Sequence, residues 1–224
     1  GTYTDEPNNF IYHAYNSDEL LEPELDPLNF QISNSENHVE WYAFNGLNEI
    51  EKFTSVCEKF EIPALMQEDI LHTRQRSKFD LMGTKSLTVL AVPRLEDEIL
   101  SWQQVSLFYN ESEIVSFTER ESTTFNMVLD RVRKKSGRIR DLQSDYLLYA
   151  LIDAAVDQYL NVTAFLTNEV DDLEIDLLST KGKIPKNFVQ ELYSRKKDLL
   201  ILLKRVNQID ELVDNLQAYY DSED

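Results

Sequence analysis

From Asp141 to its C-terminus the chain is written in helical periodicity, and no other feature constrains its fold as strongly. Asp145–Leu160 is apolar nearly all round, which predicts a helix buried on more than one side. Its continuation narrows to a stripe of Leu166, Val170, Leu173 and Leu177. Lys181–Pro185 is a break, with Gly182 suited to a C-terminal cap and Pro185 to a helix start. The last helix repeats Leu192, Leu199, Leu202, Val206, Ile209, Val213, Leu216 and Tyr220, with Arg195 in the one missed seam position. Two heptad-like helices joined by a short break predict a long antiparallel helical hairpin. The stripe reads as core or coiled-coil seam, not as a ligand box. None of this spans a membrane. A crossing helix needs about 20 apolar residues with few charges, and the most apolar stretch holds Asp145, Asp153 and Asp157. The chain as given is expected to be soluble, and its first residue, Gly1, suggests an excised piece.

Residues 1–140 read differently. Phe10–Tyr15 and His38–Phe44 are expected strands, the second placing Val39, Trp41 and Ala43 on one face. Asn48 and Glu51 resemble a capping box for a helix over Glu49–Phe60, whose apolar stripe is Ile50, Phe53, Val56, Cys57 and Phe60. Pro63 opens a short helix to about Leu71, with Leu65, Met66 and Ile70 on its apolar side. A hairpin follows, Lys78–Met82 and Ser86–Val92 around Gly83, with Pro93 limiting the second strand. Gln103–Tyr109 and Ile114–Thr118 are two more strands, and Thr123 or Thr124 caps a helix to about Lys135. The basic run Arg131–Arg140 reads as an exposed helix end and loop. The expected division is an α/β part over 1–140 and a long-helix part over 141–224.

Composition excludes several functions. The net charge is −19, unsuited to nucleic acid or anionic lipid, whose phosphates demand a basic surface. Residues 1–120 hold eight basic and 22 acidic side chains, so the acidity is concentrated there. The five glycines are too scattered for a nucleotide-binding loop. The single cysteine, Cys57, precludes an internal disulfide and a Cys-based zinc site; it reads as a small core residue. His13, His38 and His72 show no paired-ligand spacing. Neither a nucleophile with a base nor a metal ligand set of the catalytic kind is visible, so the chain is not read as an enzyme.

Carboxylates are what the sequence offers. Glu68 and Asp69 are neighbours on the short helix, and Asp153 and Asp157 share a face of the apolar one. Hard divalent cations such as magnesium take oxygen ligands of this kind. An acidic pair near a helix end is ordinarily solvated surface. Asp153 interrupts an apolar run, and a buried carboxylate needs an arginine, a hydrogen-bond donor, an interface or a metal.

Three segments resemble the CorA family of magnesium and cobalt channels, specifically its cytoplasmic N-terminal domain. EDILHTRQRSKFD, Glu68–Asp80, is similar to the family's Leu-Glu-Asp-Ile-Leu-Asn and Gln-Arg-Pro-Lys stretch. QQVSLFYNESEIVSFTE, Gln103–Glu119, is similar to its Glu-Gln-Val-Ser hairpin. GRIRDLQSDYLLYALIDAAVDQY, Gly137–Tyr159, follows the family pattern nearly throughout. The family's proline is Ser77 here and its asparagine His72, but neither change removes a carboxylate.

The resemblance implies an α/β fold, an α/β/α sandwich with a mixed sheet, followed by protruding helices. It implies a homopentamer on the cytoplasmic side of the membrane, with regulatory Mg2+, or another divalent cation such as Co2+, between subunits. The family's acidic pair matches Glu68 and Asp69, and its supporting aspartate matches Asp153. The stalk helix, membrane helices and Gly-Met-Asn pore signature are missing, so the chain is expected to hold half a site and to conduct no ions. A ZntB-type zinc transporter and a free-standing acidic binding protein are the alternatives.

Overall fold

The computed structural model describes residues 8–33, 35, 37–110, 113–179 and 187–221, without the side chains of the last three. The strands are β1 (Asn9–Tyr15), β2 (Leu20–Leu21), β3 (Val39–Asn45), β4 (Lys78–Met82), β5 (Lys85–Glu96), β6 (Ile99–Asn110) and β7 (Glu113–Thr118). The helices are α1 (Ile50–Lys59), α2 (Ala64–Leu71), α3 (Asn126–Arg133), α4 (Ser144–Ser179) and α5 (Phe188–Asp221). The strands form one mixed sheet in the order β2-β1-β3-β7-β6-β5-β4. Every pairing is antiparallel except β3 with β7.

Both faces of the sheet are covered, giving the expected α/β/α sandwich. Tyr42, Phe44, Phe108 and Phe117 pack on one face against Phe53 and Val56 of α1 and Met66 and Ile70 of α2. Trp41, Val105, Leu107 and Ile114 pack on the other against Val128 of α3 and Leu147, Leu151 and Ala155 of α4. Double coverage explains why β3 is buried at six consecutive positions, including Glu40, whose carboxylate accepts a 2.8 Å bond from Tyr12. Cys57 is fully buried in the α1 layer, and Ile50, at the start of α1, is exposed.

β5 and β6 run longer than the sequence suggests. Pro93 does not end β5, which continues to Glu96 opposite Ile99. The β4 ladder stops at Val89, and the Ala91 N–H on that side donates to Ser77 Oγ at 3.1 Å. Pro93 has the same parity as Ala91, so its missing N–H falls on the open edge, where proline is tolerated. The hairpin closes on Asp97 and Glu98, at φ of 49° and 64°. Two positive φ values are what a two-residue turn matching strand twist requires, though glycine or asparagine usually supplies them.

The expected caps are not used. The N-cap of α1 is Glu49, which makes no side-chain cap bond and instead pairs with Lys52 at 2.8 Å. The N-cap of α3 is Phe125, not a threonine. The basic run is exposed over 133–138, but Arg140 is buried. Its guanidinium donates to the carbonyls of Val132, Asn16 and Glu19, while Arg133 pairs with Glu22 at 2.8 Å. The run therefore clamps the β1–β2 loop onto α3.

α4 is buried along one side from Leu147 to Leu166, and beyond that it runs outward beside α5. Arg195 of α5 lies over the Phe165 ring and pairs with Glu169 at 3.1 Å, accounting for a charge in the seam. The buried positions of α5 include Leu202, Ile209 and Leu212, whereas Leu192, Leu199, Val206 and Val213 are exposed. The seam is rotated from the expected one because α5 packs on the edge strand β4 as well as on α4. Lys181–Pro185 and the side chain of Tyr220 lie outside the described residues.

Candidate metal centre

α2 presents the acidic pair. Met66 and Ile70 bury its inner side, so Glu68 is exposed and Asp69 half-buried. Leu65, expected on the apolar side, is 64% exposed. The last carbonyls of a helix have no partner within it. Here Gln104 of β6, itself buried, supplies one from the sheet. Its amide donates to the carbonyls of Asp69 at 3.1 Å and Ile70 at 3.0 Å, and to Ser106 Oγ at 3.2 Å. Gln75 also donates to the Asp69 carbonyl. The backbone under Asp69 is thus fixed from two sides.

The Asp69 side chain is ion-paired. Its Oδ2 lies 2.7 Å from Lys78 Nζ, and the same nitrogen lies 2.7 Å from Asp80 Oδ2. Lys78 and Asp80 are two apart on β4 and so share a face of the edge strand. Burial pulls the Lys78 ammonium down, but the two carboxylates outweigh it and hold its pKa above the ordinary lysine value. Nearby, burial raises Glu119, although its Oε1 accepts from the Gln104 N–H at 3.2 Å.

Asp153 lies elsewhere. It projects from α4 on the opposite layer of the sandwich, and it is exposed. The expectation that it is buried within an apolar helix is incorrect. Tyr149, Asp153, Asp157 and Leu160 follow one another at steps of four, four and three, so they line one stripe. Tyr149 and Leu160 are 61% and 68% exposed, and this part of α4 has apolar side chains on its open face as well as its buried one.

Glu68 and Asp69 therefore sit together, and Asp153 does not join them within the chain. Among the described residues no group of three or more His, Cys, Asp and Glu side chains could hold a metal ion. The donors that are present suit a hard cation: they are carboxylate oxygens, and the Lys78 ammonium already stands as a cation between two of them. Lys78, Asp80 and Gln104 all fall inside the motif segments, but nothing in the sequence marks them as parts of one site. No described helix is long and apolar enough to cross a membrane.

The fold is that of the soluble domains of CorA-type transporters. The soluble domain of CorA from Methanocaldococcus jannaschii superposes with a TM-score of 0.63 at 17% identity, over 93% of this chain and 88% of that one. The ZntB cytoplasmic domain from Vibrio parahaemolyticus gives 0.68 at 11% identity, over 92% and 79%. At such identities both share the fold and decide nothing further. Sequence decides the family. The model described as CorA-like Mg2+ transporter protein matches residues 36–224. The cobalt/magnesium transport protein CorA of Thermotoga maritima is 32% identical over 178 residues, 79% of this chain and 50% of that protein. The chain belongs to the CorA family. It spans half the length of that curated relative.

Proposed function

We propose that this chain is the regulatory, cation-sensing domain of a CorA-type magnesium and cobalt channel, working in a homopentamer on the cytoplasmic side of the membrane. Residues 1–140 form its α/β part, and 141–224 complete the sandwich and make a protruding arm. Asp69 and Glu68, with Asp153 as the supporting acid, hold regulatory Mg2+ between neighbouring subunits. The observation that carries this reading is the separation of the acids onto opposite layers of one chain, with Glu68 and Asp153 exposed and Asp69 half-buried beside Glu68. Such acids meet only across a contact between copies. The exposed Tyr149 and Leu160 beside Asp153 suit such a contact.

A bound divalent cation supplies neutralising charge at these carboxylates. Without it, acids brought together across the interface repel one another, and the symmetric ring loosens towards open states. The effect is a linkage: the closed ring is favoured only to the extent that it binds the cation better than the open one does. The test is Asp69→Lys in the full-length channel. Inhibition of its current by Mg2+ should need at least about tenfold more Mg2+, since a charge is reversed at contact distance. An unchanged inhibition curve sinks the sensing role.

A further inference from the structure

We propose that Lys78 is a built-in competitor for the cation at Asp69 and sets the metal concentration at which the site fills, an inference that rests on the sensing role just described. The ammonium is 2.7 Å from the Asp69 carboxylate, so a metal ion ligated there displaces it. Gln104 and Gln75 hold the backbone carbonyl of Asp69, which keeps the end of α2 that carries the carboxylate beside β4. Lys78 can yield without being stranded: Asp80 holds it from the other side, also at 2.7 Å. Releasing Asp69 therefore exchanges one ion pair and leaves the second in place, avoiding the large penalty of an unpaired, partly buried charge.

The side chains of Lys78 and Asp69 are 24% and 25% exposed. Their contact is weaker than a fully desolvated pair and stronger than a freely solvated one. That intermediate strength suits a competitor, which must give way over a usable range of metal concentration. A second consequence concerns the empty state. With Lys78 in place the vacated Asp69 shares that ammonium with Asp80, so its charge is offset only in part from within its own subunit and the repulsion that loosens the ring falls more heavily on Glu68 and Asp153. Asp80 acts here through Lys78, as a positioning residue that draws the ammonium away from Asp69.

The experiment is calorimetric titration of MgCl2 into the full-length protein. Lys78→Met should lower Kd about tenfold, because one positive charge is removed at contact distance from a divalent ion. Asp80→Asn should raise Kd about threefold, because Lys78 is then left to Asp69 alone. Lys134→Met makes the same change in net charge, at an exposed lysine paired with Asp130 on α3, and should leave Kd within about twofold. A Lys78→Met Kd equal to that of the unaltered protein overturns the proposal, as does a Lys134→Met effect of the same size. If Lys78→Met does not fold, judged by loss of cooperative melting, Lys78→Gln and Asp80→Asn carry the test, and an unchanged Kd in both overturns it. Asp69→Asn separates the two levels. If it leaves Mg2+ binding intact, the sensing role itself fails; if it weakens binding while Lys78→Met does nothing, only the competitor is wrong.

Discussion

Gln104 joins the sheet to the helix that carries the candidate site, so removing its amide should loosen both. Gln104→Ala deletes two N–H donors that are shared among three acceptors, the Asp69 and Ile70 carbonyls and Ser106 Oγ. The Asp69 carbonyl keeps its bond from Gln75, while the Ile70 carbonyl loses the donor that β6 supplies. At about 1 kcal/mol for each net hydrogen bond, with a further cost for a buried acceptor left unpaired, the loss is about 2–4 kcal/mol. For a domain of this size that corresponds to about 5–15 °C in Tm. Urea denaturation and calorimetry of the 224-residue chain measure the loss, and hydrogen exchange at the end of α2 locates it. Gln104→Glu is the sharper variant, because it keeps the shape but turns an acceptor towards two carbonyls and adds a charge close to Glu119. A change under about 0.5 kcal/mol in the isosteric variant, with unaltered exchange over 68–72, would refute the hydrogen-bond account.

Other expectations concern the rest of the fold. Ser77→Ala leaves the buried Ala91 N–H without its 3.1 Å acceptor and should cost about 1–3 kcal/mol in a urea titration. Ser77→Pro, the family's usual residue, should cost a similar amount here, since a proline side chain accepts no hydrogen bond. Burial outweighs the pull of Glu22 and holds His13 below its ordinary value of 6.5. The folded chain then binds fewer protons than the unfolded chain as pH falls below 6.5, so His13's contribution to stability drops in that window. His13→Gln should flatten the change in urea midpoint between pH 7.5 and 5.5, and an unaltered slope would count against it. Cys57 is fully buried, and burial pushes its thiol up, so a thiol reagent should label it only in step with unfolding.

The short strands bounded by turn residues were legible in the sequence, and the strand ends that depend on context were not. β4 falls on Lys78–Met82 as expected, and β7 extends its expected span by one residue. The outer halves of β5 and β6 were hidden. Pro93 reads as a stop until the neighbouring strand is known to have ended, and an Asp-Glu turn carries no glycine or asparagine signal. Helix periodicity found both long helices but could not orient them. Leu212 is fully buried while Val213 is open, a difference set by β4, which no heptad count includes. The site was legible only as acids matched to a family. That Asp153 is exposed follows from which side of α4 meets the sheet, and an evenly apolar stretch does not encode that choice. Lys78 and Asp80 were in view, but their convergence on Asp69 depends on β4 lying beside the end of α2.

The one parallel pairing among the described strands has a consequence for how the chain is made. β3 and β7 meet in register from Glu40 with Glu113 to Asn45 with Thr118, residues separated by 73 positions. The run β4–β7, by contrast, closes through hairpins of a few residues each. At about 5–20 residues per second of synthesis, β3 leaves the ribosome several seconds before the strand that covers its second edge exists. During that interval β1 guards one edge and nothing guards the other, a template for pairing with the wrong chain. Joining the two halves also closes the longest loop in the sheet, so the docking of β3 onto β7 is expected to set the folding rate.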